Sequence, residues 1–139
     1  MRDEGRGMRD RIDYFQLETE MSTVKSYRDL IVWQKSIELV ERVYFCTRLF
    51  PKEEIYGIVS QMRKAAVSIA SNIAEGHGRH STGEYCHFLG ISRGSLYELE
   101  TQLIVSNKVG YLSEMEFNGM LEACEEISRL LNGLLKSLK

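Results

Sequence analysis

The sequence predicts an all-α protein folded as an antiparallel, up-down-up-down four-helix bundle. Apolar residues recur at helical spacing in four consecutive segments, and connections of only a few residues join these segments. Short connections cannot carry the chain back along a helix, so consecutive helices are expected to lie side by side in opposite directions. No segment shows the alternation of apolar and polar residues that is typical of a half-buried strand.

The composition is that of a globular protein with one domain. The chain has 139 residues, of which 43% are hydrophobic and 27% charged, and this length suits a single core. The formal net charge of −2 excludes a chain that is basic throughout, so phosphate binding would need a local cluster of Lys and Arg.

The cysteines and the hydropathy pattern indicate the cellular compartment of the protein. Cys46, Cys86 and Cys124 are odd in number and lie in apolar patterns, which suits reduced thiols in a core. We find no apolar signal segment and no run of about 18 apolar residues. We therefore expect a cytoplasmic protein without a membrane partner.

The N-terminal residues 1–25 differ from the rest of the chain. They mix both signs of charge and show weak periodicity, so we expect a mobile extension that precedes a bundle over residues 26–139. The alternative is that Tyr14, Phe15 and Leu17 dock on the bundle.

The first two predicted helices flank Pro51. The first ends near Leu49, and its apolar stripe is Leu30, Trp33, Ile37, Val40, Tyr44 and Thr47. The stripe of the second helix is Ile55, Val59, Met62, Ala66, Ile69 and Ile73. Gly76 follows this stripe, and we expect it to adopt the left-handed conformation that is common after a helix.

The last two predicted helices begin at capping boxes. Ser81 with Glu84, and Ser113 with Glu116, have the spacing in which each side chain bonds a backbone N–H of the first turn. Helix 3 runs to Gly110, and helix 4 runs nearly to the end of the chain. Their apolar stripes are Tyr85, Leu89, Leu96, Leu99 and Leu103 for helix 3, and Met120, Cys124, Ile127, Leu131, Leu134 and Leu138 for helix 4.

Helix 3 carries a second stripe, which gives it more apolar surface than one bundle seam needs. We predict that this stripe is an oligomer interface, and the alternative is that helix 3 is simply the most buried helix. Its polar members, with Gln61 and Asn72 of helix 2, are candidates for a buried hydrogen-bond network. The predicted interface residues are Phe88, Ile91, Ser95, Glu98, Gln102 and Val105.

Charge is segregated along the chain. The first half of helix 4 is acidic, whereas helix 2 carries the adjacent cations Arg63 and Lys64. Opposite patches on one subunit suit a head-to-tail contact that closes into a ring, although carboxylates near a helix N-terminus are also favoured by the helix dipole.

One end of the predicted bundle gathers further cations near His77 and His80. Such an end can hold phosphates, especially if a ring repeats it, and the alternative is a merely solvated end. The residues predicted to contact nucleic-acid phosphates are Arg63, Lys64, Arg79 and Arg93, with Lys25 and Arg28 as outer contributors.

Catalytic and metal motifs are weak. Glu84 and His87 have the Glu-x-x-His spacing of di-iron bundles, but helices 1, 2 and 4 supply no second histidine. A zinc site from His77, His80, Cys86 and His87 lacks a recognised spacing. We find no nucleophile elbow, phosphate loop or dinucleotide fingerprint, so we expect neither an enzyme nor a cofactor or bound metal.

Five segments of the chain carry a resemblance to a known family. They are residues 27–35 (YRDLIVWQK), 50–57 (FPKEEIYG), 60–66 (SQMRKAA), 68–76 (SIASNIAEG) and 94–103 (GSLYELETQL). These segments resemble the bacterial four-helix bundle protein family, which is encoded by intervening sequences of 23S ribosomal RNA genes. The similarity spans about residues 26–139.

The resemblance implies a homopentameric ring. It also implies kinship with the accessory variability determinant proteins of diversity-generating retroelements, which bind nucleic acid and a reverse transcriptase. The net charge of −2 departs from those basic relatives, so the resemblance supports the ring more strongly than nucleic-acid binding. Ala70 stands where many relatives carry proline, which predicts a less kinked helix 2.

Three functions follow as hypotheses. The leading one is a non-catalytic, ring-forming protein that binds structured RNA or DNA through repeated basic patches. The first alternative is a scaffold whose helix 3 docks a helical partner such as a reverse transcriptase. The second alternative is a metal-binding bundle built on Glu84 and His87.

Overall fold

Helices account for the regular secondary structure of the computed structural model, which describes residues 24–139. Within this range there is no β-strand, and two short 3-10 helices, Tyr27–Asp29 and Lys52–Glu54, accompany four α-helices. The α-helices are α1 (Ile31–Thr47), α2 (Ile58–His77), α3 (Thr82–Lys108) and α4 (Glu114–Ser137). The predicted all-α class with four helices is therefore confirmed for the described residues. None of the helices in this range combines the length and apolarity needed to cross a bilayer.

The predicted N-terminal extension falls almost wholly outside the described residues, as do Tyr14, Phe15 and Leu17. Val24, near its predicted end, is partly buried against the core.

Each helix packs on two others around one core. The contacting pairs are α1 with α2, α2 with α3, α3 with α4, and α1 with α4, and the α2–α3 interface is the most extensive. Between α2 and α3, the Ser92 hydroxyl donates to the carbonyl of Ile69 over 2.9 Å. Between α1 and α4, Lys35 Nζ lies 3.6 Å from a carboxylate oxygen of Glu126. Buried apolar residues from all four helices form a single cluster.

Serine side chains cap the starts of α3 and α4, which confirms only the serine half of each predicted capping box. The Ser81 hydroxyl accepts from the backbone N–H of Glu84 at 3.1 Å, and that of Ser113 accepts from Glu116 at 3.2 Å. These bonds satisfy N–H groups that have no partner within the first turn. Beyond α3, Gly110 has a φ of +86°, which the lack of a side chain permits.

The prediction for Gly76 is wrong. α2 continues through Gly76 to His77, and its C-cap is Gly78, with a φ of −81°. A Cβ on Gly76 would lie 2.9 Å from the Cβ of Phe88 and 3.2 Å from the carbonyl oxygen of Tyr85. The glycine therefore allows close approach of α3 to α2, and it does not form a turn.

The predicted face of helix 1 is also wrong in part. Trp33, Ile37 and Val40 are only half-buried, and Tyr44 is exposed. α1 has apolar residues on two adjacent faces, so periodicity alone does not identify the inner one. The residues that α1 buries are Val32, Ser36, Leu39, Val43, Cys46 and Thr47.

Smaller differences concern the first two helix ends. α1 ends at Thr47, two residues before Leu49, and Ile55 is exposed ahead of α2. The other predicted stripe residues of helices 2, 3 and 4 are buried, except that Tyr85 and Leu138 are half-buried.

Two of the three cysteines lie in the core. Burial is the main cause that raises the pKa of Cys46 to about 11 and that of Cys124 to about 12. Both side chains are therefore neutral thiols at pH 7, which makes them poor nucleophiles.

Replacement of Gly76 by alanine should destabilise the fold by about 1–3 kcal/mol, because the new methyl group overpacks the α2–α3 interface. Gly94→Ala is the matched control, since a Cβ there meets no atom within 4 Å. This control should stabilise α3 by about 0.5–1 kcal/mol. Urea unfolding followed by circular dichroism measures both changes, and equal stability of the two variants would contradict the close approach at Gly76.

The stability of the fold should fall as the pH rises above about 8.5, the usual thiol pKa in an unfolded chain. Above that pH the unfolded chain loses thiol protons that the folded chain retains, which lowers the unfolding free energy by up to about 1.4 kcal/mol per pH unit for each thiol. Urea midpoints across this range should fall less steeply for Cys124→Ala. Leu131→Ala, which also opens a cavity but removes no titratable group, should keep the native pH dependence. Parallel curves for all three proteins would contradict this linkage.

Candidate nucleic-acid interface

An open groove of about 580 Å³ lies along α1 and α2 beside the second 3-10 helix. We call it the Arg63 groove. It combines aromatic rings, serine hydroxyls and two cations, and none of the described residues that line it carries a carboxylate. Its lining residues are Tyr44, Ile55, Tyr56, Ser60, Arg63, Lys64, Val67 and Ser68.

The guanidinium of Arg63 is held in place by α1. Its Nε donates to the hydroxyl of Thr47 over 3.0 Å, and that hydroxyl donates to the carbonyl of Val43 over 2.7 Å. The guanidinium carbon also lies 4.6 Å from the centre of the Tyr44 ring, a cation–π contact. These contacts orient the group, and the N–H donors on Nη1 and Nη2 are those suited to bidentate contact with a phosphate.

The exposed aromatic surface of the groove was missed by the sequence analysis. Tyr56 is 94% exposed, and Tyr44, which we predicted in the core, is 38% exposed. The available signal was that Tyr56 is not a member of the predicted apolar stripe of helix 2 and is followed directly by Gly57. Aromatic rings exposed beside cations are typical of surfaces that bind a partner.

The other predicted phosphate contacts lie outside this groove. Arg79 forms an ion pair with Glu75, and its guanidinium carbon lies 4.6 Å from the centre of the Phe88 ring. Nη1 of Arg93 donates to the side-chain oxygen of Asn132 over 3.1 Å. Both cations therefore already have partners within the bundle.

Lys25 and Arg28 lie at the first 3-10 helix, which packs on α1 and α2. The Arg28 guanidinium carbon lies 5.6 Å from the centre of the Tyr27 ring, and a hydrogen bond with Tyr27 raises the pKa of Arg28. Of the six predicted cations, the structure thus brings only Arg63 and Lys64 together in the groove.

The residues of the second stripe of α3 differ in their solvent exposure. Phe88 and Ser95 are half-buried, whereas Ile91, Glu98 and Val105 are exposed. Gln102 is only 7% exposed. The stripe thus contains both core positions and positions open to a partner.

The polar residues predicted as a network form two separate groups. The Ser95 hydroxyl lies 2.8 Å from the hydroxyl of Ser68, which also accepts from the Asn72 amide over 3.0 Å. The Gln102 amide donates to Glu98 over 3.4 Å, while Gln61 is exposed.

A second groove, of about 490 Å³, runs between α2 and α3, and we call it the Gln102 groove. The side-chain oxygen Oε1 of Gln102 is buried and has no hydrogen-bond partner in the structure. An unpaired buried carbonyl costs about 1–3 kcal/mol, so a movement of the Gln102 side chain that brings this oxygen to a donor is favoured. The lining residues are Ile58, Gln61, Glu98, Thr101, Gln102 and Val105.

The residues considered for metal chemistry are dispersed. Glu84 and His87 are both exposed, and the His87 ring lies 5.5 Å from that of Phe88. The His77 ring stands edge-on to that of Tyr85 at 5.9 Å. Over residues 24–139, no three His, Cys, Asp or Glu side chains are grouped as metal ligands would be.

Comparison with known proteins adds the following findings. The model of the family described as 23S rRNA-intervening sequence protein matches residues 28–133. A crystal structure of a protein of unknown function, from the S23 ribosomal protein family of Bacteroides thetaiotaomicron, is similar with a TM-score of 0.71 and 22% sequence identity. This match covers 76% of the present chain and 99% of the other, and at such identity it shows the fold alone. No curated protein matches the sequence.

Proposed function

The chain belongs to the family of 23S rRNA-intervening sequence proteins, and from that premise we propose that it is a non-catalytic protein that binds the phosphates of RNA or DNA through the Arg63 groove. One observation carries this proposal: the guanidinium of Arg63 is oriented by Thr47 and Tyr44 in a groove that also holds Lys64 and has no acidic lining residue among those described. An oriented guanidinium loses less side-chain entropy when it binds a phosphate.

The overall charge limits the strength of this binding. Two cations on a chain of net charge −2 offer few phosphate contacts per subunit. Repetition of the groove around a homo-oligomeric ring, which we propose to be a pentamer, would raise the avidity without a new contact. A cytoplasmic location belongs to the same proposal and is supported by three unpaired cysteine thiols.

An up-down-up-down order of the helices is also part of the proposal. Two contacts support opposite directions for α1 and α4. Lys35 meets Glu126, and Arg42, which comes later in α1, donates to the carbonyl of Gly119, which comes earlier in α4. Between α2 and α3, Ser92 bonds Ile69 and the later residue Ser106 bonds the sulfur of the earlier residue Met62, in the same sense.

A second candidate function is a protein–protein interface at the Gln102 groove. The unpaired oxygen of Gln102 favours it, because a shift of this buried side chain on contact would let the oxygen accept from a donor of the partner. We propose a second copy of this chain as the occupant, through the predicted interface on α3. A helical partner such as a reverse transcriptase is the alternative occupant.

Reversal of the groove charges should abolish binding to nucleic acid. In the double variant Arg63→Glu/Lys64→Glu, the gel-mobility shift of a structured RNA should disappear. The milder Arg63→Gln/Lys64→Gln variant should lower the slope of log K against log salt by about 1–2, since each lost phosphate contact removes about one.

Lys136→Glu/Lys139→Glu is the matched control, because it makes the same change of charge at the end of α4. It should leave the mobility shift in place. Circular dichroism checks that all variants are folded, and unchanged RNA binding by the folded Arg63→Glu/Lys64→Glu protein would overturn the proposal.

Self-association should depend on the Gln102 groove. Sedimentation velocity should show the native chain as a particle several times the mass of one chain, and Val105→Asp should dissociate it, because a charge in an apolar contact remains unpaired. Ile104→Asp, on the same helix but outside the groove lining, should leave the assembly intact. Gln102→Met, which removes the unpaired acceptor, should weaken assembly without loss of stability of the single chain. A native chain that sediments as a monomer would contradict this candidate.

A further inference from the structure

We propose that the Arg63 groove binds an unpaired nucleotide of single-stranded RNA, with its base stacked on the ring of Tyr56 and its phosphate held by Arg63 and Lys64. This inference rests on the proposed nucleic-acid binding and narrows its ligand class. A site with a stacked base would bind single-stranded RNA in preference to a paired duplex, whereas the two cations alone would bind the phosphates of either.

Tyr56 is the stacking platform that the groove offers. Its side chain is 94% exposed, although an aromatic ring usually buries much of its surface. One side of the Tyr44 ring is covered by the guanidinium of Arg63, at 4.6 Å from the ring centre. Tyr56 is therefore the more accessible of the two rings, and stacking of a base on such a ring contributes about 1–3 kcal/mol.

The segment that carries Tyr56 is tied to the helix that follows. The backbone N–H of Gly57 donates to the carbonyl of Glu54 over 3.0 Å, and Oε2 of Glu54 accepts from the N–H of Ile58 over 3.4 Å. The nearest carboxylate along the chain is thereby engaged at the start of α2. The ring is thus presented from an ordered turn, and Glu54 is not among the lining residues.

The shape and chemistry of the groove favour a nucleotide. Its volume of about 580 Å³ falls within the range of small-ligand sites. The hydroxyl of Ser60 lines the groove and offers both a donor and an acceptor to a ribose 2′-OH. In a duplex the bases are stacked on each other and cannot reach a protein ring, so a site of this kind selects loops, bulges and single strands.

Fluorescence anisotropy with a short labelled RNA tests the inference. Single-stranded RNA should bind the native protein more tightly than the same sequence as a duplex or as single-stranded DNA. Tyr56→Ala should weaken binding to the single strand about tenfold, and Tyr56→Phe should restore it, because the ring supplies the stacking. The salt dependence should stay as in the native protein for Tyr56→Ala, since the phosphate contacts remain.

Phe45→Ala is the matched control. Phe45 is an exposed ring of α1, 68% accessible, but it lies in a different cavity, beside Glu41 and Glu116. Its loss should leave RNA binding unchanged. A 2-aminopurine placed in the RNA should be quenched on binding to the native protein and not on binding to Tyr56→Ala, which reports the stacking itself.

The outcomes separate the two proposals. Equal binding of single strand and duplex, or native affinity of Tyr56→Ala, overturns the unpaired-nucleotide inference, while salt-sensitive binding through Arg63 and Lys64 still supports the proposed function. If the native protein binds none of these nucleic acids, both proposals fail. A Tyr56→Ala protein that loses self-association but not RNA affinity would show that the groove is a contact between copies of the chain, and would also overturn the inference.

Discussion

Close packing of α2 on α3 is the constraint on which the rest of the structure depends. Gly76 brings the backbone of α2 against Phe88 and Tyr85, and Ser92 bonds the carbonyl of Ile69 at the same interface. A closely packed interior leaves a helix little freedom to turn, so these contacts determine which face of α2 lies inside. With Met62 and Ala66 buried on the inner side, Arg63 and Lys64 are left on the outer side beside α1.

The position of α2 gives the molecule two different grooves. On its α1 side lies the Arg63 groove, which is cationic and aromatic, and on its α3 side lies the Gln102 groove, which contains an unpaired buried oxygen. The grooves share no lining residue, so a substitution in one leaves the lining of the other unchanged. The two proposed activities, RNA binding and self-association, can therefore be tested separately with variants of the same chain.

Only part of the candidate site followed from sequence patterns, and the parts that were missed have identifiable causes. Arg63 and Lys64 were predicted from their adjacency on an amphipathic helix, and the interface stripe of α3 from its second apolar face. Tyr44 was misplaced because α1 has two apolar faces, and periodicity does not say which one meets the neighbouring helices. The missing hydrogen bond of Gln102 was beyond prediction, since it depends on which donors of distant segments reach the side chain. Arg93 has a partner on α4 for the same reason. The ion pair of Arg79 with Glu75 is local, because the two residues are four positions apart, and the sequence analysis missed it.

Features that depend on neighbours along the chain could be predicted from the sequence alone. The starts of α3 and α4, the inner faces of α2, α3 and α4, and the all-α class all arise from helical spacing and local capping, which act within a few residues. Features that depend on distances between segments required the packed structure. The role of Gly76, the inner face of α1 and the set of cations that share one surface are of this second kind. Their physical reason is the same, because side chains far apart in sequence compete for one space, and only the packing of whole helices decides which of them lie inside.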